Sequence, residues 1–428
     1  MESKTTNNVE TCGDKCHSAK IKEKCSAPWY NTGLYVWEDS VSMQPCCYLP
    51  GSYFKISETD FDINTVINNP VHQQIRKDLV NANPKSLCTK WNCKYYNTDT
   101  TLAFDSSVAN VSEEGLRPEQ IENLRLAKKE YSENAIEVNS VPLCIGITFG
   151  FKCNFDCPMC PQRPLAKKHP YTLERFPAET LLKLKPLLKK TLVISVIGGE
   201  PFVLKECVKF LDAITKDPDF KTVKLDLWSN AIFIDKYWDI LKRHPQLTLT
   251  VSPDSIGDTY EYIRRNGKWA KFESNIKMFN KIAKENNLTW NINSHNILMK
   301  STIDKIVEFS TWSVENNINS KFTILTSIGE GEEFCSNEDV IKYPKLLNDI
   351  ENWEEKMQKA IEIFKNANQK DAVETLSFYK EYIKNPPKET VASSTELQFE
   401  DSDSDFERKK INILGIKISY KVFKKHST

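Results

Sequence analysis

Between about residues 140 and 330 of the 428-residue chain, short runs of hydrophobic residues alternate with longer stretches in which hydrophobic and polar residues are mixed. Short apolar runs predict six strands, at 143–149, 192–197, 223–228, 247–251, 289–292 and 322–325. Amphipathic stretches between them predict helices at 178–190, 205–215, 235–243, 272–285 and 303–316. This order favours an α/β fold with a parallel sheet and right-handed crossovers. Its functional loops are expected at the carboxyl ends of the strands, near Gly150, Gly198, Ser229, Ser252 and Ser294.

The segments that flank this region have a different pattern. Residues 1–24 are polar and are expected to be mobile. Residues 25–105 are rich in Tyr, Trp, Asn and Cys and have little helical periodicity, which favours a small Cys-rich domain stabilised by bound metal. The other predicted units are a linker helix (106–139), the α/β core (140–330), a C-terminal helical extension (331–386), an acidic linker (387–408) and a basic terminal hairpin or tail (409–428). The tail could also contact a membrane surface or a partner.

Composition limits the classes of function. Lys and Arg number 58, as do Asp and Glu, so the formal charge is zero and no bulk field attracts nucleic acid. Hydrophobic residues make up 40% of the chain, too many for a disordered protein. No apolar run approaches the roughly 20 residues of a transmembrane helix, and residues 1–9 do not resemble a secretory signal. A cytoplasmic location is therefore expected.

The 13 cysteines are grouped, and in a reducing compartment grouped cysteines indicate metal binding or catalysis. Cys153, Cys157 and Cys160 follow directly after the first strand of the core. Thiolates are the usual ligands of iron–sulfur clusters, and three of them leave one iron of a four-iron cluster open. Zinc is the alternative, for which His169 is the next candidate ligand.

The Cys153-Asn-Phe-Asp-Cys157-Pro-Met-Cys160 motif resembles the signature of the radical S-adenosylmethionine (SAM) superfamily, with Met159 where the family usually has an aromatic residue. Further motifs that resemble the family follow in order on successive strand ends of residues 140–330. They contain Gly198, Gly199, Glu200 and Pro201, then Ser229 and Asn230, then Ser252 and Asp254, and then Arg264.

The resemblance implies a partial (β/α)6 TIM-like barrel that holds a [4Fe-4S] cluster and SAM. It implies that Gly198 and Gly199 let backbone carbonyls approach the SAM ammonium group, while Glu200 supplies a complementary charge or holds the turn. Arg264 could pair with the SAM carboxylate, and the short polar residues after the third and fourth strands could bind carboxylate or ribose hydroxyls. Such enzymes cleave SAM reductively to a 5′-deoxyadenosyl radical, using an electron donor such as a flavodoxin or ferredoxin.

The N-terminal cysteines resemble the twitch module, a shortened relative of the SPASM auxiliary-cluster domain, although here it precedes the core. The resemblance implies a second [4Fe-4S] cluster with Cys25, Cys46, Cys88 and Cys93 as ligands, and with Cys47 as an alternative to Cys46. A structural zinc site and buried thiols remain alternatives.

The isolated cysteines support different expectations. Cys335 follows the sixth strand, and in related peptide epimerases a lone thiol donates a hydrogen atom to the substrate radical; the alternative is an incidental cysteine. Cys144 and Cys207 are expected in the core. Trp228 and Trp269 are expected to pack rather than to bind substrate.

The leading hypothesis is an enzyme that modifies a peptide or protein. A sugar or another small metabolite is the alternative substrate. A non-catalytic iron–sulfur or zinc scaffold is the alternative from another functional class.

Overall fold

The structure is a computed structural model. It describes residues 25–37, 40–46, 54–57, 67–81, 111–163, 167, 177–325, 332–385, 406–413 and 416–423.

One nine-stranded sheet organises the described residues. Its strands are Asn31–Trp37 (β1), Ser40–Gln44 (β2), Phe54–Ser57 (β3), Cys144–Thr148 (β4), Val193–Val196 (β5), Lys224–Trp228 (β6), Gln246–Val251 (β7), Thr289–Leu298 (β8) and Ile318–Ile324 (β9). The strand order is β3-β2-β1-β4-β5-β6-β7-β8-β9, and all neighbours from β4 to β9 are parallel. Because β3 and β9 are the edges of this sheet, it is an open, partial barrel, and the predicted α/β fold class is confirmed.

The described helices connect and cover the strands. They are Ala27–Tyr30 (α1), Pro70–Val80 (α2), Pro118–Ser132 (α3), Ala178–Leu182 (α4), Lys185–Leu188 (α5), Lys205–Lys216 (α6), Trp238–Leu241 (α7), Gly257–Ile263 (α8), Trp269–Glu285 (α9), Lys300–Asp304 (α10), Ile306–Glu315 (α11), Glu332–Glu338 (α12), Trp353–Asn366 (α13) and Lys370–Lys384 (α14). None of the helices in this part of the chain is both long and apolar enough to cross a bilayer.

The observed elements differ from the predicted ones where polar or helix-breaking residues interrupt the pattern. The helix predicted at 178–190 is two helices, and Pro186 lies at the start of the second, where its missing N–H is tolerated. The long C-terminal helical stretch is interrupted at Asn368, whose φ of 55° ends α13. Strand β8 extends six residues beyond the prediction, because polar residues along it obscured the apolar alternation.

The two faces of the parallel strands differ in polarity. The helix-covered face holds buried apolar residues such as Ile147, Ile194 and Leu227, and Phe149 packs there against Phe210 of α6 with ring centroids 5.5 Å apart. Cys207 is fully buried on α6, as predicted. The opposite side is called the inner face below; it carries Ser195, Asp226, Trp228, Thr250, His295 and Lys321.

The described N-terminal residues continue the sheet of the core. Strand β1 pairs in parallel with β4, and β2 and β3 follow as antiparallel neighbours. The fully buried side chain of Arg76 secures this extension by donating hydrogen bonds to the backbone carbonyls of Pro28, Ile136 and Ile67 at 2.8–2.9 Å. A single guanidinium group therefore joins three separate segments of the chain.

Helix α14 and the residue before it cover the edge of the sheet that β9 forms. Gln369, just before the helix, accepts a hydrogen bond from the backbone N–H of Ser320 at 3.1 Å, and Thr375 Oγ1 accepts one from the N–H of Phe322 at 3.1 Å. Two outward-facing donors of the edge strand are thus satisfied by side chains.

Phe406–Ile413 (β10) and Ile416–Phe423 (β11) form a separate antiparallel pair.

Candidate active site

The motif cysteines lie in the loop that follows β4. Cys153 is exposed, Cys157 is 7% exposed and Cys160 is half-buried. The backbone N–H of Phe155 donates to Cys153 Sγ at 3.4 Å, and the N–H of Cys160 donates to the carbonyl of Cys157 at 3.2 Å. The loop is also joined to the chain after α8, because the Asp156 N–H donates to the carbonyl of Arg265 at 3.1 Å.

The donor set of this loop fits an iron–sulfur cluster in chemistry. Three thiols share the loop, and Cys157 and Cys160 lie close enough to act electrostatically on Cys153. Thiolates of this kind are the ligands that such clusters use. Among the described residues, however, no group of three or more His, Cys, Asp or Glu side chains is arranged around a common point as a finished metal site. The residues fit the group in type, and metal binding would have to draw the three sulfur atoms together.

The surroundings of Cys157 favour the protonated thiol. Burial raises the pKa of Cys157. The positive charge of Arg264 opposes the rise at Cys157. Because metal binding requires thiolates, a bound cation would have to displace this proton.

The glycine pair packs against the backbone that leads into the cysteine loop. Gly198 has a φ of 143°, and a Cβ atom on Gly199 would overlap the carbonyl oxygen of Lys152. The N–H of Gly199 donates to the Gly150 carbonyl at 2.9 Å, and the N–H of Glu200 donates to the Lys152 carbonyl at 2.8 Å. Glycine is therefore required here by close approach of two backbones, a reason that applies without any ligand.

The side chain of Glu200 joins the turn after β5 to the end of β6. Its carboxylate is 1% exposed and accepts hydrogen bonds from Ser229 Oγ at 2.7 Å, the Asn230 N–H at 2.7 Å and the Phe202 N–H at 3.2 Å. Burial raises the pKa of Glu200 to about 7, although these donors oppose the rise. Pro201, next in sequence, is buried at the start of a short 3-10 helix.

Asn230 joins the end of β6 to the cysteine loop. Its Nδ2 donates to Asn154 Oδ1 at 2.8 Å and lies 3.9 Å from Cys153 Sγ. The next residue, Ala231, has a φ of 58° and donates its N–H to Ser229 Oγ. Glu200, Ser229 and Asn230 therefore form one hydrogen-bonded unit beside Cys153.

Asp254 and Arg264 form a second polar unit. Arg264 Nη2 lies 2.6 Å from Asp254 Oδ2, and Asp254 Oδ1 accepts a hydrogen bond from the Ile297 N–H at 2.9 Å. Asp254 is 1% exposed, and burial raises its pKa while Arg264 opposes the rise. Arg264 Nη1 lies 3.7 Å from Cys157 Sγ, so this unit also contacts the cysteine loop. Ser252, two residues before Asp254, is half-buried.

Two buried donors near this ion pair have no hydrogen-bond partner. They are Arg264 Nε and the hydroxyl group of Tyr260. Buried polar groups are usually satisfied, and these two donors are exceptions within the part of the chain that the structure describes.

Cys335 lies in an apolar cluster with the cysteine loop. It is 7% exposed and belongs to a buried group that contains Cys157, Met159, Ile263 and Phe334. The fold therefore brings this distant cysteine to the same end of the sheet as the motif cysteines.

The N-terminal cysteines are only partly described. Cys25 and Cys46 are half-buried and pack against the edge of the main core. Cys47, Cys88 and Cys93 lie outside the described residues, and the second cluster stays a prediction.

Sequence reasoning did not identify the polar residues of the inner face. Trp269 packs among Tyr260, Phe272 and Trp312, as predicted. Trp228, however, is half-buried on the inner face, and its ring centroid lies 4.7 Å from that of His295. The available signal was the repeated polar residues in 289–298, which mark a strand with an accessible face.

The region that contains these units matches a known family. Residues 147–309 match the family model described as the radical SAM superfamily.

Curated relatives of the chain are GTP 3′,8-cyclases. The protein from Clostridium perfringens (strain 13 / Type A) is 27% identical over 210 residues, which are 46% of this chain and 62% of that protein. The protein from Peptoclostridium acidaminophilum is 26% identical over 213 residues, with shares of 47% and 62%. The chain thus spans less than two thirds of the length of these relatives.

Among the solved structures with some similarity to the chain is Streptococcus suis SuiB bound to precursor peptide SuiA, with a TM-score of 0.38, 16% identity and coverage of 76% of this chain and 71% of that chain. Another is anSMEcpe with bound AdoMet, with a TM-score of 0.38, 17% identity and coverage of 53% and 61%.

Proposed function

We propose that this chain is a radical SAM enzyme that uses Cys153, Cys157 and Cys160 to hold a [4Fe-4S] cluster and abstracts hydrogen from a substrate. The observation that carries the proposal is that the cysteine loop contacts both polar units within the matched family region: Asn230 lies beside Cys153, and Arg264 lies beside Cys157. When bound, the cluster and SAM would supply an electron and a 5′-deoxyadenosyl radical.

The chain's own residues would orient SAM through these two units. The unsatisfied Nε donor of Arg264 suits a carboxylate, and Asp254 fixes the direction of the guanidinium group. Gly198 and Gly199 keep the adjoining backbone free of side chains, so that carbonyls remain accessible to an ammonium group. Glu200 acts indirectly, because the three hydrogen bonds that its carboxylate accepts position the turn that carries Asn230.

Ser252, Ser229 and Asn230 are proposed to bind polar groups of SAM. Cys335 is proposed as a hydrogen-atom donor to the substrate radical, and its place in the same apolar cluster as Cys157 and Met159 supports that role. Cys25, Cys46, Cys88 and Cys93, with Cys47 as the alternative to Cys46, are proposed as ligands of a second cluster.

A peptide is the leading substrate class, and a flavodoxin or ferredoxin in the cytoplasm is the proposed electron donor. A small metabolite is the second candidate. The observation that favours it is the identity to relatives named GTP 3′,8-cyclase.

Anaerobic reconstitution with iron and sulfide, followed by reduction in the presence of SAM, tests the proposal. We expect about four iron atoms per chain for one cluster or about eight for two, together with release of 5′-deoxyadenosine. Replacement of all three motif cysteines by Ala should abolish nucleoside release, whereas Cys144→Ala should not. Tightly bound zinc without nucleoside release would contradict the proposal and favour a scaffold.

A further inference from the structure

The inner face of the sheet is polar at the strands next to the candidate active site. Successive strand residues point to opposite faces, and this face carries Asp226 and Trp228 on β6, His295 on β8 and Lys321 on β9. All four are half-buried or exposed. Parallel sheets are usually apolar on both faces because helices cover both. An accessible polar face in such a sheet indicates contact with a polar ligand.

Asp226 fixes the arrangement of this face. Its carboxylate accepts hydrogen bonds from Ser195 Oγ on β5 at 3.0 Å, from Trp228 Nε1 at 2.9 Å and from Thr250 Oγ1 on β7 at 2.9 Å. One carboxylate therefore joins three neighbouring strands and holds the indole ring of Trp228 in a defined position. With three donors, Asp226 is satisfied without a cation.

The held indole ring reaches across β7 to the next strand. Trp228 is paired in register with Thr250, which is 3% exposed, and the rings of Trp228 and His295 lie 4.7 Å apart at an angle of 59°. The two rings thus span three strands. They present a firm, partly apolar surface with polar ring nitrogen atoms.

Lys321 adds a positive charge beside these rings. It is the register partner of His295 on β9, and its side chain is exposed. No carboxylate of the described residues lies within ion-pair distance of its ammonium group. Two carboxylates act electrostatically on His295: the engaged Asp226 and Asp371 on α14.

The part of the inner face that carries Trp228 and His295 borders the candidate SAM site. Trp228 directly precedes Ser229, and His295 lies two residues before Ile297, whose N–H binds Asp254. We propose that Trp228, His295 and Lys321 form a specificity surface that receives a carboxylate group of the substrate. Lys321 is the counter-ion, and the two rings pack against the carbon skeleton that bears the carboxylate. This inference rests on the proposed function, because it places the substrate beside the bound SAM.

A matched pair of probes tests the inference on the full chain. The probes are the α-methylamides of N-acetylglutamate and N-acetylglutamine, which differ in the presence of the side-chain carboxylate. Binding is followed by nuclear magnetic resonance of ¹⁵N-labelled histidine rings, with the His295 signals assigned from a His295→Gln variant. The glutamate probe should shift the His295 signals, and the glutamine probe should not.

Variants of the lysine provide the second comparison. Lys321→Gln should weaken binding of the glutamate probe at least about tenfold, whereas Lys321→Arg, which keeps the charge, should stay within about threefold of the wild type. Lys345→Gln, an exposed lysine outside the inner face, is the matched control and should bind as the wild type does.

Equal shifts with both probes, or unchanged affinity in Lys321→Gln, would overturn the inference. Inorganic phosphate that binds as tightly as the glutamate probe would also overturn it, because the surface would then be a general anion site. Nucleoside release from SAM is measured separately. Its failure with probe binding intact would refute the proposed function, and the reverse result would refute only the specificity surface.

Discussion

Two shielded arginines show how the N-terminal extension and the candidate active site differ. Arg76 is fully buried, and its donors reach three backbone carbonyls and the side chain of Asn68. Arg264 has one carboxylate partner, a cysteine sulfur 3.7 Å away and an unsatisfied Nε donor. The first arginine is saturated by its own protein, as expected of a structural group. The second keeps one donor that no protein group satisfies, and the proposed contact with the SAM carboxylate would use it.

The largest expected effect is the loss of stability when Arg76 is replaced. Arg76→Met leaves the carbonyls of Pro28, Ile67 and Ile136 buried without their donor, so the free energy of unfolding should fall by about 3–5 kcal/mol. Urea denaturation of the reduced, metal-free protein measures this change. Arg125→Met is the control, because Arg125 is an exposed partner of Glu113 and should cost less than about 1 kcal/mol. Equal losses in the two variants would remove the distinction drawn here.

The N-terminal extension should also be sensitive to acid. His72 is fully buried between Asn69 and Thr32, and burial lowers its pKa from 6.5 to about 3. Its neutral form therefore stabilises the fold above pH 6.5, and this contribution is lost as the pH falls toward 3. At about pH 4.5 the loss should be about 2–3 kcal/mol. Denaturation curves of the wild type and His72→Gln across this range should differ in slope; parallel curves would contradict the assignment.

The stability of the region around Glu200 should respond to pH in the opposite direction. The pKa of Glu200 is raised from 4.5 to about 7, so its contribution to stability is present below pH 4.5 and is lost as the pH rises through 7. Glu200→Gln removes this titration but also an acceptor for the Asn230 N–H. The variant should therefore be less stable than the wild type at about pH 5, with a deficit smaller by about 2–3 kcal/mol at about pH 8. A deficit that does not change with pH would argue against a buried, titrating Glu200.

The smallest effect tests the role proposed for Arg264. Arg264→Lys keeps the charge beside Asp254 but loses the fork geometry, so nucleoside release should fall about tenfold while the free energy of unfolding changes by less than about 1 kcal/mol. Arg265→Lys, at the exposed neighbouring position, is the matched control and should retain full release. Loss of stability in proportion to the loss of release would instead make Arg264 a structural residue like Arg76.

The sequence predicts those features of the fold and the candidate site that depend on a local pattern of residues. The six core strands and the polar residues at their carboxyl ends could be predicted, because apolar runs in a parallel sheet fix both the pairing and the edge where loops meet. The two roles of Glu200 could not be separated, since that required knowing that Ser229 and Asn230 approach it from the next strand. The continuation of the sheet through β1 depends on pairing over more than 100 residues of sequence and has no local signal.

The polar residues of the inner face could not be predicted from the sequence, for a related reason. A strand such as β8, with Asn, Ser and His among its apolar residues, resembles a loop unless the other face is known to be buried. The pairing of Trp228 with His295 joins residues from different strands, so neither residue alone indicated it.

The side-chain covering of β9 has a consequence for how a peptide could dock. Many proteins capture an extended peptide by letting it add as one more strand at a free sheet edge. At Ser320 and Phe322 that option is closed, because Gln369 and Thr375 already occupy the main-chain donors that an incoming strand would need. A peptide that binds at this edge of the sheet must therefore be recognised through its side chains. Recognition would then depend on the sequence of the peptide and not on its backbone, which all peptides share.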